Sequence, residues 1–323
     1  MPLLDEDYIL GFDEIEVSKE DTKCKLAEKW IPKTVVDSEL QVNENDTQIH
    51  IKGREFAYTI DKRTALFTEM KFAGREYLNH PMELNIWRAP TDNDMYIKSE
   101  WKKAHYDKAY TRAYTTEVVQ GKHGVKITSH ASVVAETVQK ILDVTITWKI
   151  DASGKIDADI EATKDGEFPD LPRFGVRMFL DKKLSAARYF GMGPQESYCD
   201  KHQAASHGLY RADVGDLHED YIRPQENGSH YDCEYVELNN SRYGIVASAE
   251  KAFSFNASYY TQEELEKKTH NYELIESDSV VFCVDYALNG IGSNSCGPVV
   301  LDQYRFDDVL FRFQFTLIPY VKG

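Results

Sequence analysis

The sequence predicts an all-β fold, a large and mostly antiparallel β-sandwich, on three observations. Apolar and polar residues alternate with a period of two along several segments. Tyr and Phe, which favour strands, number 20 and 15 among 323 residues. Helical patterns are scarce. The length suits one large β-domain or two ordinary domains.

Two hairpins are predicted from the alternation. In the first, residues 49–51 and 56–60 alternate on either side of a turn at Gly53. In the second, residues 142–150 and 156–160 alternate around a short polar break. Each pair of segments has one apolar side, so each hairpin is expected to bury one face.

Two further strands are predicted towards the C-terminus. Residues 311–317 alternate between Phe or Leu and polar side chains. Residues 280–284 are continuously apolar, which is typical of a short strand buried on both faces.

Helix is expected at only two places. Thr261 and Glu264 fit a capping box, in which the Thr261 hydroxyl accepts from an early backbone N–H and Glu264 reaches back, so a short helix is predicted over 262–270. Residues 99–106 are predicted to form another.

The first part of the chain differs from the rest. Residues 9–17 form one plausible strand without a neighbour to pair with, and the charged, irregular stretch after it indicates a linker. Two hypotheses follow: a frayed N-terminal tail, or a strand that completes a sheet in another polypeptide. We therefore divide the chain into residues 1–17, a linker over 18–40 and a main domain over 41–323.

Composition excludes several classes of partner. A net charge of −16 and a pI of about 5.1 argue against nucleic acid and anionic membranes, but not against neutral sugars. Five widely spaced cysteines without a C-x-x-C pair suit a reduced cytoplasmic protein. We recognise neither a signal peptide nor a membrane-length apolar run, and expect a cytoplasmic location.

The first motif is WRAPTDND at residues 87–94. Pro90 disfavours helix before it, and Asp92, Asn93 and Asp94 can each hold an irregular loop by bonding to the backbone. Their oxygens are also possible metal ligands, but the spacing is not that of an EF-hand. A structural or interface role is the preferred interpretation.

The second and third motifs surround tight turns. GMGPQESY at 191–198 lacks the third glycine of a dinucleotide-binding loop, and Asp200 follows it. PQENG at 224–228 contains Glu226, a candidate acid or base on chemistry alone. The alternative is that Glu226 anchors its loop through backbone N–H groups.

The fourth motif, GIGSNSCGP at 290–298, brackets a polar segment with glycines, so its backbone can turn sharply and approach a ligand. Cys296 lies within it, without an adjacent base that would make it a nucleophile. His202, His207 and His230 lie near the glycine loops, show no metal-binding spacing, and are expected to make structural polar contacts.

Together, in this order, the four motifs resemble the C-terminal β-domain of the long bacterial β-galactosidases, and the chain resembles the small subunit of a two-chain β-galactosidase. The resemblance implies a galactose-mutarotase-like supersandwich over 41–323. It also implies that residues 1–17 supply the last strand of an immunoglobulin-like domain in the partner, the large subunit, with which the chain would form a heterodimer.

The resemblance further implies hydrolysis of terminal β-D-galactosides such as lactose with retention, which requires two carboxyl groups. In the family both are glutamates of a TIM barrel, and this chain has no alternating βα pattern, so no catalytic residue is expected in it. Asn294, Ser295 and Cys296 are expected to contact substrate. No cofactor is assigned to this chain; Mg²⁺ and Na⁺ remain possible in the holoenzyme through the large subunit.

The fourth motif also departs from the family. In the long enzymes a Trp of this loop stacks on the sugar, whereas this chain has Cys296 there and lacks one residue. Two alternative functions stay open: a stand-alone aldose 1-epimerase, for which His and Glu candidates exist, and a carbohydrate-binding module, for which an exposed aromatic platform is expected.

Overall fold

A computed structural model describes residues 11–15 and 40–322 of the chain. Strands dominate the described residues, and the helices among them are short. The strands are β1 Gln41–Glu44, β2 Gln48–Lys52, β3 Phe56–Asp61, β4 Leu66–Phe72, β5 Arg75–Glu76, β6 Leu78–Asn85, β7 Tyr110–Gln120, β8 Gly124–Ala135, β9 Val138–Asp151, β10 Ile156–Lys164, β11 Arg173–Asp181, β12 Ala186–Gly193, β13 Ser206–Asp213, β14 Ser229–Asn239, β15 Tyr243–Ser258, β16 Ser279–Leu288 and β17 Leu310–Val321. The α-helices are α1 Ile97–Lys103 and α2 Gln262–Lys267.

The strands form two antiparallel sheets. A five-stranded sheet has the order β1-β2-β3-β4-β5, and a twelve-stranded sheet runs β13-β12-β14-β15-β17-β10-β9-β8-β7. Three strands branch from this path, because β16 pairs with β15, β11 with β16, and β6 with β11. The predicted all-β, mostly antiparallel sandwich is thereby confirmed.

The branch originates in the long strand β15. Its first half, residues 243–248, pairs with β17, and its second half, residues 254–258, pairs with β16. The pairing of β14 with β15 shifts register between these halves, as expected where a bulge bends a strand. One strand therefore carries the chain from the main sheet into the β16-β11-β6 branch, where the candidate site lies.

Aromatic side chains join the small sheet to the large one. The Trp148 indole N–H of β9 donates to the Ala65 carbonyl at 2.8 Å, and its ring meets Phe67 edge-on at 4.9 Å. The Tyr58 hydroxyl donates to the Gly154 carbonyl at 2.7 Å. Truncating a buried Trp to Ala costs about 3–5 kcal/mol, so these contacts fix the packing of the two layers.

The strands predicted after residue 40 are all present. The first hairpin is β2–β3 and the second is β9–β10, with antiparallel pairing in both. The alternating C-terminal segment lies in β17, and the continuously apolar run lies in β16, where residues 280–284 are buried throughout. The burial pattern thus follows the periodicity of the sequence.

The helices form near the predicted places but are shorter or shifted. The Thr261 hydroxyl accepts from the Glu264 amide at 3.1 Å, as predicted, and α2 ends at Lys267. The Glu264 carboxylate accepts from the Ile275 amide instead of reaching back to the cap. The other helix, α1, begins two residues earlier than expected. No helix among the described residues is long and apolar enough to cross a membrane.

The N-terminal segment is described only at residues 11–15. These five residues form no strand, and Phe12 and Ile15 are 57% and 83% exposed. The Glu14 carboxylate accepts from the backbone amide of His207 at 2.8 Å. His207 belongs to β13, the strand at the edge of the large sheet. The rest of the predicted strand over 9–17, and most of the linker over 18–40, lies outside the described residues.

Candidate functional site

The four motifs meet at one edge of the branched sheet. Strands β6, β12 and β16 end there, whereas β11 and β14 begin there. Antiparallel pairing explains this, since Gly175 of β11 pairs with Asn85 at the end of β6, and Arg173 pairs with Leu288 at the end of β16. The loops that carry the motifs therefore leave the sheet side by side.

Arg88 of the first motif is fully buried and joins two of these loops. Its guanidinium donates to the Asp94 carboxylate at 2.7 and 3.2 Å, to the Asn289 carbonyl, and to the Gly290 carbonyl at 3.2 Å. Burial lowers the pKa of Arg88, but Asp94, Glu226 and Tyr198 together raise it more, so the net shift is upward. The guanidinium stays charged and holds the start of the fourth motif.

The Asp94 carboxylate is occupied by protein contacts, and Asp92 contacts the third motif through its backbone amide. The Asp94 carboxylate also accepts from the Thr91 amide at 2.9 Å, and the Asp92 amide donates to the Gln225 side chain at 2.9 Å. Within the described ranges no three His, Cys, Asp or Glu side chains are grouped as metal ligands. The contacts agree with a structural role for this loop.

A second buried arginine holds the third motif. Arg173, at the start of β11, donates to Asp285 at 2.5 and 3.2 Å and to Glu226 at 3.3 and 3.4 Å. Burial raises the pKa of Glu226, and the attraction of Arg173 and Arg88 does not fully offset this. The Glu226 amide also donates to the Ala89 carbonyl at 3.0 Å. Glu226 is thus a loop anchor, although its side chain is held by an arginine and not by backbone N–H groups as expected.

Glu196 joins the second motif to the third. Its carboxylate accepts from the Gly228 amide at 2.8 Å and from the Lys201 ammonium and the Tyr221 hydroxyl. Lys201 also donates to the Tyr221 oxygen at 2.9 Å. Both oxygens of this carboxylate therefore have a protein donor.

Two side chains hold the loop of the fourth motif. The Asp200 carboxylate accepts from the Ile291 and Gly292 amides at 2.9 and 2.7 Å. The side-chain NH₂ of Asn93 donates to the Gly292 carbonyl at 2.6 Å, and its side-chain oxygen accepts from the backbone amide of Ser295 at 3.3 Å. Asn93 belongs to the first motif and Asp200 follows the second, so the loop conformation depends on tertiary structure.

The three predicted substrate-contacting residues lie at the tip of this held loop. Ser295 and Cys296 are exposed and Asn294 is half-buried. Asn294 lines a cavity of about 510 Å³ together with Met95 and Tyr96, which directly follow the first motif. The sequence interpretation did not select Met95 or Tyr96, although an exposed apolar pair beside a polar loop is a signal for a contact surface.

A second cleft, of about 400 Å³, lies where all four motifs meet. Its walls combine carboxylates, one ammonium, hydroxyls and backbone. The lining residues are Thr91, Asp92, Asn93, Glu196, Tyr198, Asp200, Lys201, Tyr221, Gln225, Glu226, Ile291 and Gly292.

Arg173 and Asp285 are further site residues that sequence reasoning missed. A signal was present, because Asp285 directly follows the continuously apolar run over 280–284 and Arg173 begins the mostly apolar strand β11. A charge at such a position must be buried, and buried charges are paired. Arg173 and Asp285, however, are 112 residues apart in sequence, and only the sheet brings them together.

The three histidines serve the loops as structural groups. The ring of His230 is buried, its Nδ1 lies 3.2 Å from the Met192 carbonyl, and burial lowers its pKa to about 4, so it is neutral near pH 7. His202 lies 3.0 Å from the Tyr198 carbonyl, and His207 lies 3.1 Å from the Asp232 carboxylate.

Comparison with known families identifies the chain. The family model described as "Beta galactosidase small chain" matches residues 52–317. That range includes all four motifs and most of both sheets. The chain therefore belongs to the β-galactosidase small-chain family, as the motifs predicted.

Curated relatives agree with this assignment. The chain is 43% identical to a β-galactosidase of Actinobacillus pleuropneumoniae over 98% of its own length and 30% of that protein. It is 31% identical to a β-galactosidase of Staphylococcus xylosus, over 97% of the chain and 31% of that protein. The chain thus spans about a third of the length of these relatives.

Solved structures show a weaker likeness. A galactose 1-epimerase from Lactobacillus acidophilus NCFM aligns with this chain at 10% identity and a TM-score of 0.44. The alignment covers 88% of this chain and 99% of the epimerase chain. A galactose mutarotase-like protein from Lactobacillus casei ATCC 334 aligns at 13% identity and a TM-score of 0.43. That alignment covers 88% of this chain and 100% of the mutarotase-like chain.

The contacts of Asp200 lead to a prediction about loop mobility. Asp200→Asn removes the charge from two backbone hydrogen bonds, and bonds to a charged group contribute about 1.5–3 kcal/mol each. We expect amide hydrogen exchange at Ile291 and Gly292 to increase about tenfold or more. Asp302→Asn, at a position whose side chain is 97% exposed, is the matched control. Unchanged exchange in Asp200→Asn would show that the loop is held without this carboxylate.

Proposed function

We propose that the chain is the non-catalytic small subunit of a β-galactosidase that hydrolyses terminal β-D-galactosides such as lactose with retention. The observation that carries the proposal is the polar loop over 290–298, held from three sides by Arg88, Asn93 and Asp200. A loop fixed in this way is suited to form one wall of a cleft that another chain completes. The match to the small-chain family supports the same role.

We place the two catalytic glutamates in the large subunit. Retaining hydrolysis needs a nucleophile and an acid/base about 5–5.5 Å apart. In this chain Glu226 is paired with Arg173, and Glu196 is engaged by Lys201 and Tyr221. Neither carboxylate is presented as a free nucleophile, and the described residues fold into antiparallel sheets and not into a βα-barrel.

Within the shared cleft we assign substrate contacts to Asn294, Ser295 and Cys296. Asn294 and Ser295 offer hydrogen-bonding groups, and Cys296 supplies a small side chain where an aromatic ring would narrow the cleft. Tyr96, 62% exposed and lining the same cavity as Asn294, adds an aromatic surface nearby. We assign any requirement of the holoenzyme for Mg²⁺ or Na⁺ to the large subunit.

We further propose that residues 1–17 complete an immunoglobulin-like domain of the large subunit, with 18–40 as the linker to the main domain over 41–323. The exposed side chains of Phe12 and Ile15 support this role, since apolar side chains left in water favour association. The heterodimer would work in the cytoplasm, and the four described cysteines, all free thiols, agree with a reducing compartment.

Neither alternative function is favoured by a specific contact. An epimerase needs an acid and a base free to act on a hexose, whereas the cleft carboxylates of Glu196 and Glu226 are held by cationic partners. A stand-alone carbohydrate-binding module needs an aromatic platform on its loop, where this chain has Cys296.

The first test compares the chain alone with the assembled enzyme. We expect the purified chain to release no chromophore from a chromogenic β-galactoside, and the mixture with its large subunit to turn the substrate over. The loop variant Asn93→Ala, mixed in the same way, should assemble and show a higher KM. Turnover by the isolated chain at a rate near that of the mixture would refute the assignment of catalysis to the partner.

The second test concerns Cys296. If residue 296 faces the sugar, Cys296→Trp should lower KM about fivefold, because stacking on a ring face contributes about 1 kcal/mol. Cys296→Ser is the control of matched size and should leave KM near that of the parent. Identical kinetics for the Trp variant, in an enzyme that assembles normally, would place residue 296 outside the substrate path.

The third test concerns assembly. Deleting residues 1–17 should leave the sandwich folded, because its buried core begins at Leu40. Burial of Ile9, Phe12 and Ile15 in the partner would contribute roughly 1.5–3 kcal/mol each, reduced by the entropy of ordering the segment. Size-exclusion chromatography should therefore show weaker complex formation, with loss of activity.

The matched control for the deletion is Glu14→Ala. It removes the contact of the segment with His207 of the same chain and keeps the apolar side chains. We expect this variant to assemble like the parent. A truncated chain that forms a fully active complex at the same concentrations would show that residues 1–17 are only a tail.

A further inference from the structure

The cavity beside the loop over 290–298 collects exposed apolar side chains. Its volume is about 510 Å³, within the range of about 300–1,000 Å³ that is typical of ligand sites. Met95, Tyr96 and Val299 line it and are 43%, 62% and 70% exposed. Exposed apolar side chains that meet at one cavity indicate a contact surface. The cavity is therefore suited to bind a partly apolar group.

Tyr96 supplies the aromatic surface of this cavity. Among the described residues that line it, no other is aromatic. The loop over 290–298 itself carries no aromatic side chain. The Tyr96 ring makes no aromatic or cation–π contact, and its hydroxyl makes no hydrogen bond, with another described residue. The ring is therefore available to a ligand.

The backbone of Tyr96 is held from both sides. Two residues before it, the Asp94 carboxylate accepts from Arg88 at 2.7 Å. After it comes α1, where the buried Trp101 donates its indole N–H to the Asp170 carbonyl at 2.8 Å. An exposed aromatic ring on a backbone held in this way loses little entropy when it binds a ligand.

The charges around the cavity are paired one to one. Three carboxylates line it, and each has a different cationic partner within 2.8 Å. The pairs are Asp94–Arg88, Glu100–Lys103 and Asp170–Arg305. Arg305 also lies 3.5 Å from Asp302, whose side chain is 97% exposed and does not line the cavity. A charged ligand would find no unpaired partner here, so the cavity favours a neutral group.

Asn294 adds a side-chain amide to the same cavity. Its side chain is half-buried and makes no hydrogen bond with another described residue. The backbone on either side of it is held by Asn93, which bonds to Gly292 and Ser295. A side-chain amide can both donate and accept. The cavity therefore combines an aromatic ring and apolar walls with a group that can bind a hydroxyl.

These features suit the leaving group of a galactoside better than its galactosyl group. A galactosyl ring is surrounded by hydroxyls and needs several directional hydrogen bonds, because each buried hydroxyl without a partner costs free energy. It must also lie beside the catalytic glutamates, which we assign to the large subunit. Apolar and aromatic walls instead bind by area and shape, so they accept leaving groups of different structure.

We propose that this cavity binds the leaving group of the galactoside, and that Tyr96 determines which leaving groups bind well. The inference rests on the function proposed for the chain as a β-galactosidase subunit. A flat leaving group, such as an aryl ring or the C–H face of a sugar, packs on the Tyr96 ring, and Asn294 bonds to its polar edge. A methyl leaving group is too small to cover the ring.

The test compares galactosides that share the galactosyl group and differ in the leaving group. The probes are o-nitrophenyl β-D-galactoside, lactose and methyl β-D-galactoside, with the chain assembled with its large subunit. We expect Tyr96→Ala to lower kcat/KM for the first two about fivefold, the loss equivalent to one stacking contact, through a higher KM. The value for the methyl galactoside should stay near that of the parent.

Two variants control for the ring and for its position. Tyr96→Phe keeps the ring and should retain the parent preference among the three substrates. Tyr272→Ala removes a tyrosine that is 84% exposed and does not line the cavity, and should change none of the values. If Tyr96→Ala fails to assemble, Val299→Ser carries the test, because it removes another exposed apolar wall and should shift the preference in the same direction.

Two outcomes would overturn the inference while leaving the proposed function intact. One is an active Tyr96→Ala enzyme with the parent values for all three substrates. The other is a loss by the same factor for all three, which would place Tyr96 at the galactosyl group or in assembly. A parent mixture that hydrolyses none of the three substrates is a different result, since it would refute the proposed function and the role of Tyr96 with it.

Discussion

The candidate site depends on one buried cation, the guanidinium of Arg88. It neutralises Asp94 and also satisfies the carbonyls of Asn289 and Gly290, which the turn after β16 leaves without a ladder partner. Removing one member of a buried ion pair costs about 3–5 kcal/mol, because the other charge is left unpaired. Arg88 therefore couples the conformation of the first loop to that of the fourth.

A second buried pair extends this arrangement across the sheet. Arg173 lies between Asp285 and Glu226, and the pKa of Glu226 is raised because the effect of burial exceeds the attraction of Arg173 and Arg88. Well-packed apolar residues could fill the same volume without this cost. The ionic groups instead give direction, because each guanidinium bonds to groups from different parts of the chain and so defines how those parts are placed.

The arrangement suits a subunit that completes a site belonging to another chain. The loop over 290–298 is held by hydrogen bonds from Arg88, Asn93 and Asp200, whereas the exposed apolar groups, such as Met95, Tyr96 and Phe12, lie beside it or on the N-terminal segment. Rigid polar loops position substrate groups with little loss of entropy, and exposed apolar groups favour association. The acidic net charge of −16 leaves neutral sugars as suitable ligands and disfavours nucleic acid.

The sequence by itself determined the fold class and the positions of six strands, because burial on one face leaves a period of two that can be read locally, as in β9, β10 and β17. It also determined the family, since four motifs occur in a specific order. Only the tertiary structure decided which groups those motifs bring together. Arg173 meets Asp285 and Glu226, and Arg88 meets Asn289, across 53 to 201 residues of sequence. Such pairings follow from sheet order and branching at β15, which no local pattern encodes.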